Sequence, residues 1–256
     1  SSVSMIEVST SRPTSFPDGT ASTSPPPGGD GGDNRITGIA HSEGILYVAY
    51  GPRDLIARYD ARNGSLTGTW RVKAPGRMAP RPNGALAVIS GDEVVSVDDG
   101  DVSAWATTHL DEPTGIAIDD DGQLYVANAG DRQNVSVFNA DGQYVRSIGR
   151  KGGRPAMGRY DPGGIYQPGG IALGAEGELW VAETTDFPKR ISVWNVESGE
   201  NVDEFFGAAG YFAYGTMDPA NPDEIYAHNV LWEIDWDNYT TTPRTTIWRR
   251  TDPNMA

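Results

Sequence analysis

Short apolar runs alternating with polar residues and punctuated by Asx-Gly or Glu-Gly pairs recur along most of the chain. The clearest copy runs from Glu112 to Gly149, EPTGIAIDDDGQLYVANAGDRQNVSVFNADGQYVRSIG. TGIAID, QLYVANA, NVSVFNA and QYVRSIG each read as a strand of period two. The Asp-Gly pairs between them supply the positive φ that a tight hairpin turn requires. The order strand, turn, strand, loop, strand, turn, strand returns in Thr37 to Val72, in a shorter form in Gly76 to Thr108, closely in Gly169 to Gly207, and with most divergence in Tyr214 to Arg250. The first-turn glycines Gly44, Gly84, Gly122 and Gly177 stand 40, 38 and 55 residues apart. That is a period near 40 with one insertion, the spacing of four-stranded propeller blades. The pattern predicts an all-β fold, a β-propeller over residues 35–256, with five recognisable blades in a short or incomplete ring.

Residues 1–34 differ in kind. TSRPTSFPDGTASTSPPPGGDGGDN offers almost nothing to bury and reads as an arm, linker or stalk. VSMIEVST before it alternates well enough for one strand, free or docked on the propeller or a neighbouring molecule.

Composition narrows the function classes. The chain has 256 residues, 32 of them Gly, and a net charge of −15. Such acidity argues against sequence-independent nucleic-acid binding, which depends on neutralising phosphates with Lys and Arg. The absence of cysteine removes disulfides, thiol chemistry and Fe–S clusters. No apolar run is long enough to span a bilayer. The chain opens on Ser1, compatible with a removed leader, and an extracellular or cell-surface setting after bacterial export is the expectation. Asp98, Asp99 and Asp101, and likewise Asp119 to Asp121, lack the alternate-ligand spacing of a calcium loop and read as turn chemistry.

TGIAIDDDGQLYVANAGDRQNVSVFNADGQYVRSIGRKG and QPGGIALGAEGELWVAETTDFPKRISVWN resemble NHL repeats, whose blades read Pro-x-Gly-Ile-Ala, Asp-x-x-Gly, Tyr-Val-Ala-Asp and then Arg-Ile-x-Val-Phe. The resemblance implies a propeller, in a family whose rings usually close with about six blades. By analogy, the residues closing each Tyr-Val-Ala (Tyr50, Ser90, Asn128, Glu183, His228) and those before each first strand (Thr37, Pro75, Thr114, Gly169, Tyr214) gather at the channel mouth. Propeller enzymes of similar layout use metal-held carboxylate, Asn and His groups or several His around zinc. Here Glu183, Asn128 and His228 are the candidate ligands for Ca or another divalent metal in a lyase or lactone hydrolase. The family's Asp after Tyr-Val-Ala is replaced differently in every repeat, which favours polar channel lining over chemistry.

The insertion GRKGGRPAMGRYDPGGIYQP, Gly149 to Pro168, places Arg150, Lys151, Arg154, Arg159 and Tyr160 in an otherwise acidic chain. Arg and Tyr combine planar hydrogen bonding with rigid contact area, which suits recognition. It has no Gly-Lys-Ser/Thr and so is not a phosphate loop. In the last repeat LWEIDWD sets Trp232, Ile234 and Trp236 on one face, as packing surface or sugar platform. The expectation is an exported binding or assembly module that grips a protein or glycan partner, or another copy of itself, with no cofactor; the alternative is the metal-dependent enzyme.

Overall fold

The computed structural model describes residues 33–185, 188–207, 215–218, 220–227, 230–238 and 240–246. Every sheet in it is antiparallel. The first sheet runs β1 (Gly38–Ser42), β2 (Ile45–Tyr50), β3 (Leu55–Asp60) and β4 (Leu66–Arg71), and the second β5 (Pro75–Pro80), β6 (Leu86–Ser90), β7 (Glu93–Asp98) and β8 (Asp101–Ala106). The third runs β9 (Pro113–Ile118), β10 (Leu124–Asn128), β11 (Asn134–Phe138) and β12 (Tyr144–Ile148). After a two-residue β13 (Gly158–Arg159), the fourth comprises β14 (Pro168–Leu173), β15 (Glu178–Glu183), β16 (Arg190–Asn195) and β17 (Asn201–Phe206). The fifth comprises β18 (Gly215–Asp218), β19 (Asn221–Ala227), β20 (Val230–Asp235) and β21 (Thr240–Thr246). Each sheet is an up-and-down meander, as the repeats predict.

The inner strands β1, β5, β9 and β14 lie side by side in that order, so the first four sheets fan around a common axis. Glycine permits the approach: a Cβ on Gly38 would stand 2.1 Å from the Gly76 carbonyl oxygen. Two threonines stitch the seams, Thr37 Oγ1 donating to the Pro75 oxygen at 2.5 Å and Thr114 Oγ1 to the Pro168 oxygen at 2.6 Å. Side chains of period two then fill the spaces between sheets. Tyr125 and Ala127 pack with Leu179, Val181 and Trp194 of the fourth sheet, while Leu124, Val126 and Phe138 pack with Ile89 and Val94 of the second. Burial on both faces explains why ILYVAY, LAVIS and LYVAN read as continuous apolar runs, whereas outer strands such as LTGTWR keep an exposed face.

The fifth sheet departs from this pattern. Among the described residues β18 does not join the row of inner strands. Instead β13, from the insertion, pairs with β21 and gives the sheet the order β13-β21-β20-β19-β18. Buried Trp232 meets Phe206 of β17 edge-on at 5.9 Å, and Tyr160 of the insertion meets the same ring at 5.8 Å. The expected one-sided face of the last repeat holds in part: Trp232 is core, Ile234 is half-buried and Trp236 is 51% exposed. The strand expected in VSMIEVST lies outside the described residues.

Candidate functional site

The side chains expected at the channel mouth are not a set of free groups. Tyr50 is buried with Val48, Leu55 and Ala57 on one face of the first sheet. There burial, followed by a hydrogen bond with Tyr50, pushes the Tyr59 hydroxyl up to about 12. Asn128 is fully buried. Its carbonyl accepts from the Asp111 amide at 2.9 Å, and its Nδ2 donates to the Val126 oxygen and to Ser136 Oγ. Ser136 Oγ in turn donates to the His109 oxygen at 2.7 Å. Asn128 therefore braces the connection between the second and third sheets. His228 and Tyr214 lie outside the described residues.

Glu183 is the centre of a buried ionic cluster. Closing β15 at the end of the Tyr-Val-Ala segment, it stands opposite Arg190 at the start of β16, because Ala182 pairs with Ile191 in the ladder. Oε1 accepts from Arg190 at 2.9 Å and Oε2 from Arg154 at 2.6 Å, with neither the carboxylate nor the Arg190 side chain exposed. Arg190 also donates to the carbonyls of Gly164 (2.8 Å) and Pro162 (2.7 Å) and pairs with Glu204 at 2.9 Å. The Tyr160 hydroxyl closes the network on Glu204 at 2.5 Å. Burial raises the Glu183 carboxyl above its ordinary range, while the two guanidiniums pull against that shift. Burial likewise drives the Tyr160 hydroxyl well up.

The expectation of Arg154 as an exposed recognition side chain is corrected here. It is 3% exposed, because a guanidinium entering this pocket finds the second oxygen of a carboxylate buried in low dielectric. Glu183 is placed likewise: it is buried, and both of its oxygens accept from arginines of the protein itself. Arg150, Lys151 and Arg159 do point outward. Arg150 is steadied by Asp161 at 2.6 Å and by the Gly153 carbonyl. Among the described residues no group of three His, Cys, Asp or Glu side chains is arranged to hold a metal. Arg190 escaped the sequence reading. Its signal was present in the Arg-Ile-x-Val-Phe segment, where Arg begins the strand facing the Glu that ends its neighbour.

A family profile described as NHL repeat matches residues 110–138, the end of the second connection and most of the third sheet. The chain carries an NHL repeat. Solved structures place that NHL repeat in a β-propeller. The chain resembles hydrazine synthase from Kuenenia stuttgartiensis with a TM-score of 0.55 and 19% identity, covering 90% of this chain. It spans 65% of that protein. A nidogen/laminin complex matches with a TM-score of 0.54 and 18% identity, over 82% of this chain and 79% of the other. Virginiamycin B lyase from Staphylococcus aureus matches with a TM-score of 0.52 and 15% identity, over 86% and 72%. No curated protein sequence matches. At these identities the likeness is one of fold, and the NHL propeller is a scaffold on which sites differ.

Proposed function

We propose that this NHL propeller is a protein-binding module, exported to the cell surface or beyond, whose contact surface is the insertion between the third and fourth sheets. One observation carries the reading: the Arg154–Glu183–Arg190 cluster anchors the insertion from beneath, while Arg150, Lys151 and Arg159 remain exposed above it. A loop fixed at its base loses little conformational freedom when a partner arrives, so more of its contact energy appears as affinity. In a chain of net charge −15 a local basic patch also selects its partner's sign, favouring an acidic protein surface. The nidogen/laminin neighbour supports the module reading through a shared fold. The alternative, a lyase or lactone hydrolase with a divalent metal at Glu183, Asn128 and His228, has to work with two side chains whose polar atoms are already engaged inside the protein.

An array carrying acidic peptides, neutral peptides and anionic and neutral glycans tests the proposal. The intact protein is expected to bind acidic peptides, and Arg150→Glu/Lys151→Glu/Arg159→Glu is expected to lose that binding by about tenfold or more. Binding that survives the triple reversal overturns the assigned surface. Binding confined to glycans overturns the protein-partner reading.

A further inference from the structure

Aligned on their structures, the inner strands of the first four sheets place a glycine followed by Ile39, Arg77, Ile116 and Ile171 at one equivalent position. Three repeats carry isoleucine and one carries arginine. These four side chains, with Ile36 and Met78, line a cavity of about 400 Å³ on the axis of the fan. Two residues of this lining are open to water, Ile36 at 56% and Ile39 at 64% exposed, while Met78 and Ile116 are buried beneath them. Arg77 reaches across the cavity from β5, its Nη1 standing 3.5 Å from where a Cβ would sit on Gly170 of β14. Among the described residues no carboxylate or carbonyl engages that guanidinium. The cavity is thus an open socket of mixed lining, isoleucines and a methionine beside one exposed cation, distinct from the ionic cluster at Glu183.

We propose that this axial cavity binds an amphiphilic carboxylate, its head on the Arg77 guanidinium and its hydrocarbon chain against Ile36, Ile39, Ile116 and Ile171. The chemistry follows from the lining. Arginine presents a planar fork that pairs with both oxygens of a carboxylate. The isoleucines supply apolar area whose removal from water favours any short alkyl chain that follows the head into the socket. The cavity falls within the size range of small-molecule sites, which are mostly apolar with a few polar groups that fix orientation. An acidic protein as a whole repels free anions, so the apolar chain is needed as well as the cation, and small inorganic anions are expected to bind poorly. This site stands independently of the insertion surface.

The experiment compares octanoate with 1-octanol, equal in chain and different in head, by calorimetric titration of the full chain. Octanoate is expected to bind more tightly by about tenfold, since a hydrogen bond to a charged partner outweighs a neutral one. Arg77→Ile, which installs the residue the other three repeats carry, is expected to abolish the difference while leaving octanol binding in place. A thermal melt confirms folding of that variant, and Arg77→Gln, uncharged and polar, repeats the comparison independently. Equal affinity for octanoate and octanol in the unaltered protein, octanoate binding unaffected by either substitution, or no binding of octanoate overturns the proposal.

Discussion

Arg150 and Arg154 are four positions apart in one glycine-rich stretch and are chemically identical, yet one is exposed and the other is 3% exposed. The difference lies in a carboxylate 29 residues downstream that only the folded chain brings near. Removing Arg190 takes the guanidinium away from Glu183 Oε1 and from Glu204, leaving a buried carboxylate short of one of its two cations. Arg190→Ala is therefore expected to destabilise the protein by about 3–5 kcal/mol, seen as a lower denaturant midpoint at unchanged m-value. Arg150→Ala, at an exposed pair, is expected to change it by less than about 1 kcal/mol. A midpoint for Arg190→Ala that matches the Arg150→Ala result would show that the cluster does not hold the fold. Tyr125 makes a second residue-scale prediction. Burial and then the charge of Asp119, whose Oδ2 accepts its hydroxyl at 3.2 Å, push its pKa up to about 12. The folded form keeps its proton where the unfolded form has lost it, so this contribution to stability is complete below about pH 10 and disappears as pH rises from there to about 12. Denaturant midpoints recorded across that window should fall more steeply for the parent than for Tyr125→Phe.

At the scale of elements, the seams between inner strands depend on single hydroxyls. Thr37 and Thr114 each hold the next sheet's first strand through one side-chain bond. Thr37→Val and Thr114→Val are each expected to cost about 1 kcal/mol, measurable as similar shifts in thermal midpoint. A shift at only one would mean that the two seams are not equivalent. These sheets were largely legible in the chain: TGIAIDDDGQLYVAN gives both strands of a hairpin and the turn between them, because alternation and Asp-Gly report local geometry. The fifth sheet was legible only inside itself. LWEIDWD revealed which side Trp232 faces, but the sheet's added edge strand is Gly158–Arg159, two residues without any strand signature. The Glu183 centre was half visible for the same reason. Its Arg190 partner is set by ladder register, which alternation supplies, whereas its Arg154 partner depends on how a turn-rich insertion folds back.

Among the described residues, a four-sheet fan is joined to a last sheet through the β13–β21 pairing and the Trp232–Phe206–Tyr160 contact. Trp232→Ala should release that sheet without loosening the fan, since among the described residues its ring packs with Ala227, Val230 and Ile225 of its own sheet and with Phe206 at the junction. The loss of a buried Trp is worth about 3–5 kcal/mol, and amide exchange should accelerate at residues 215–218, 221–227, 230–235 and 240–246 while β10 and β15 stay protected. Equal acceleration across all sheets would show that the molecule opens as a single unit. The short β13 has a further effect on the route to the native state. Each of the first four sheets can zip from neighbouring residues, but β21 has no added edge partner until a segment 86 to 88 residues earlier has already been laid in place over Glu183. Such a long closure is entropically slow relative to local pairing. The carboxyl-terminal sheet should therefore mature last, after the insertion it waits for, and a cut between Arg159 and Pro168, which parts β13 from β21, would turn an intramolecular latch into a meeting of loose ends.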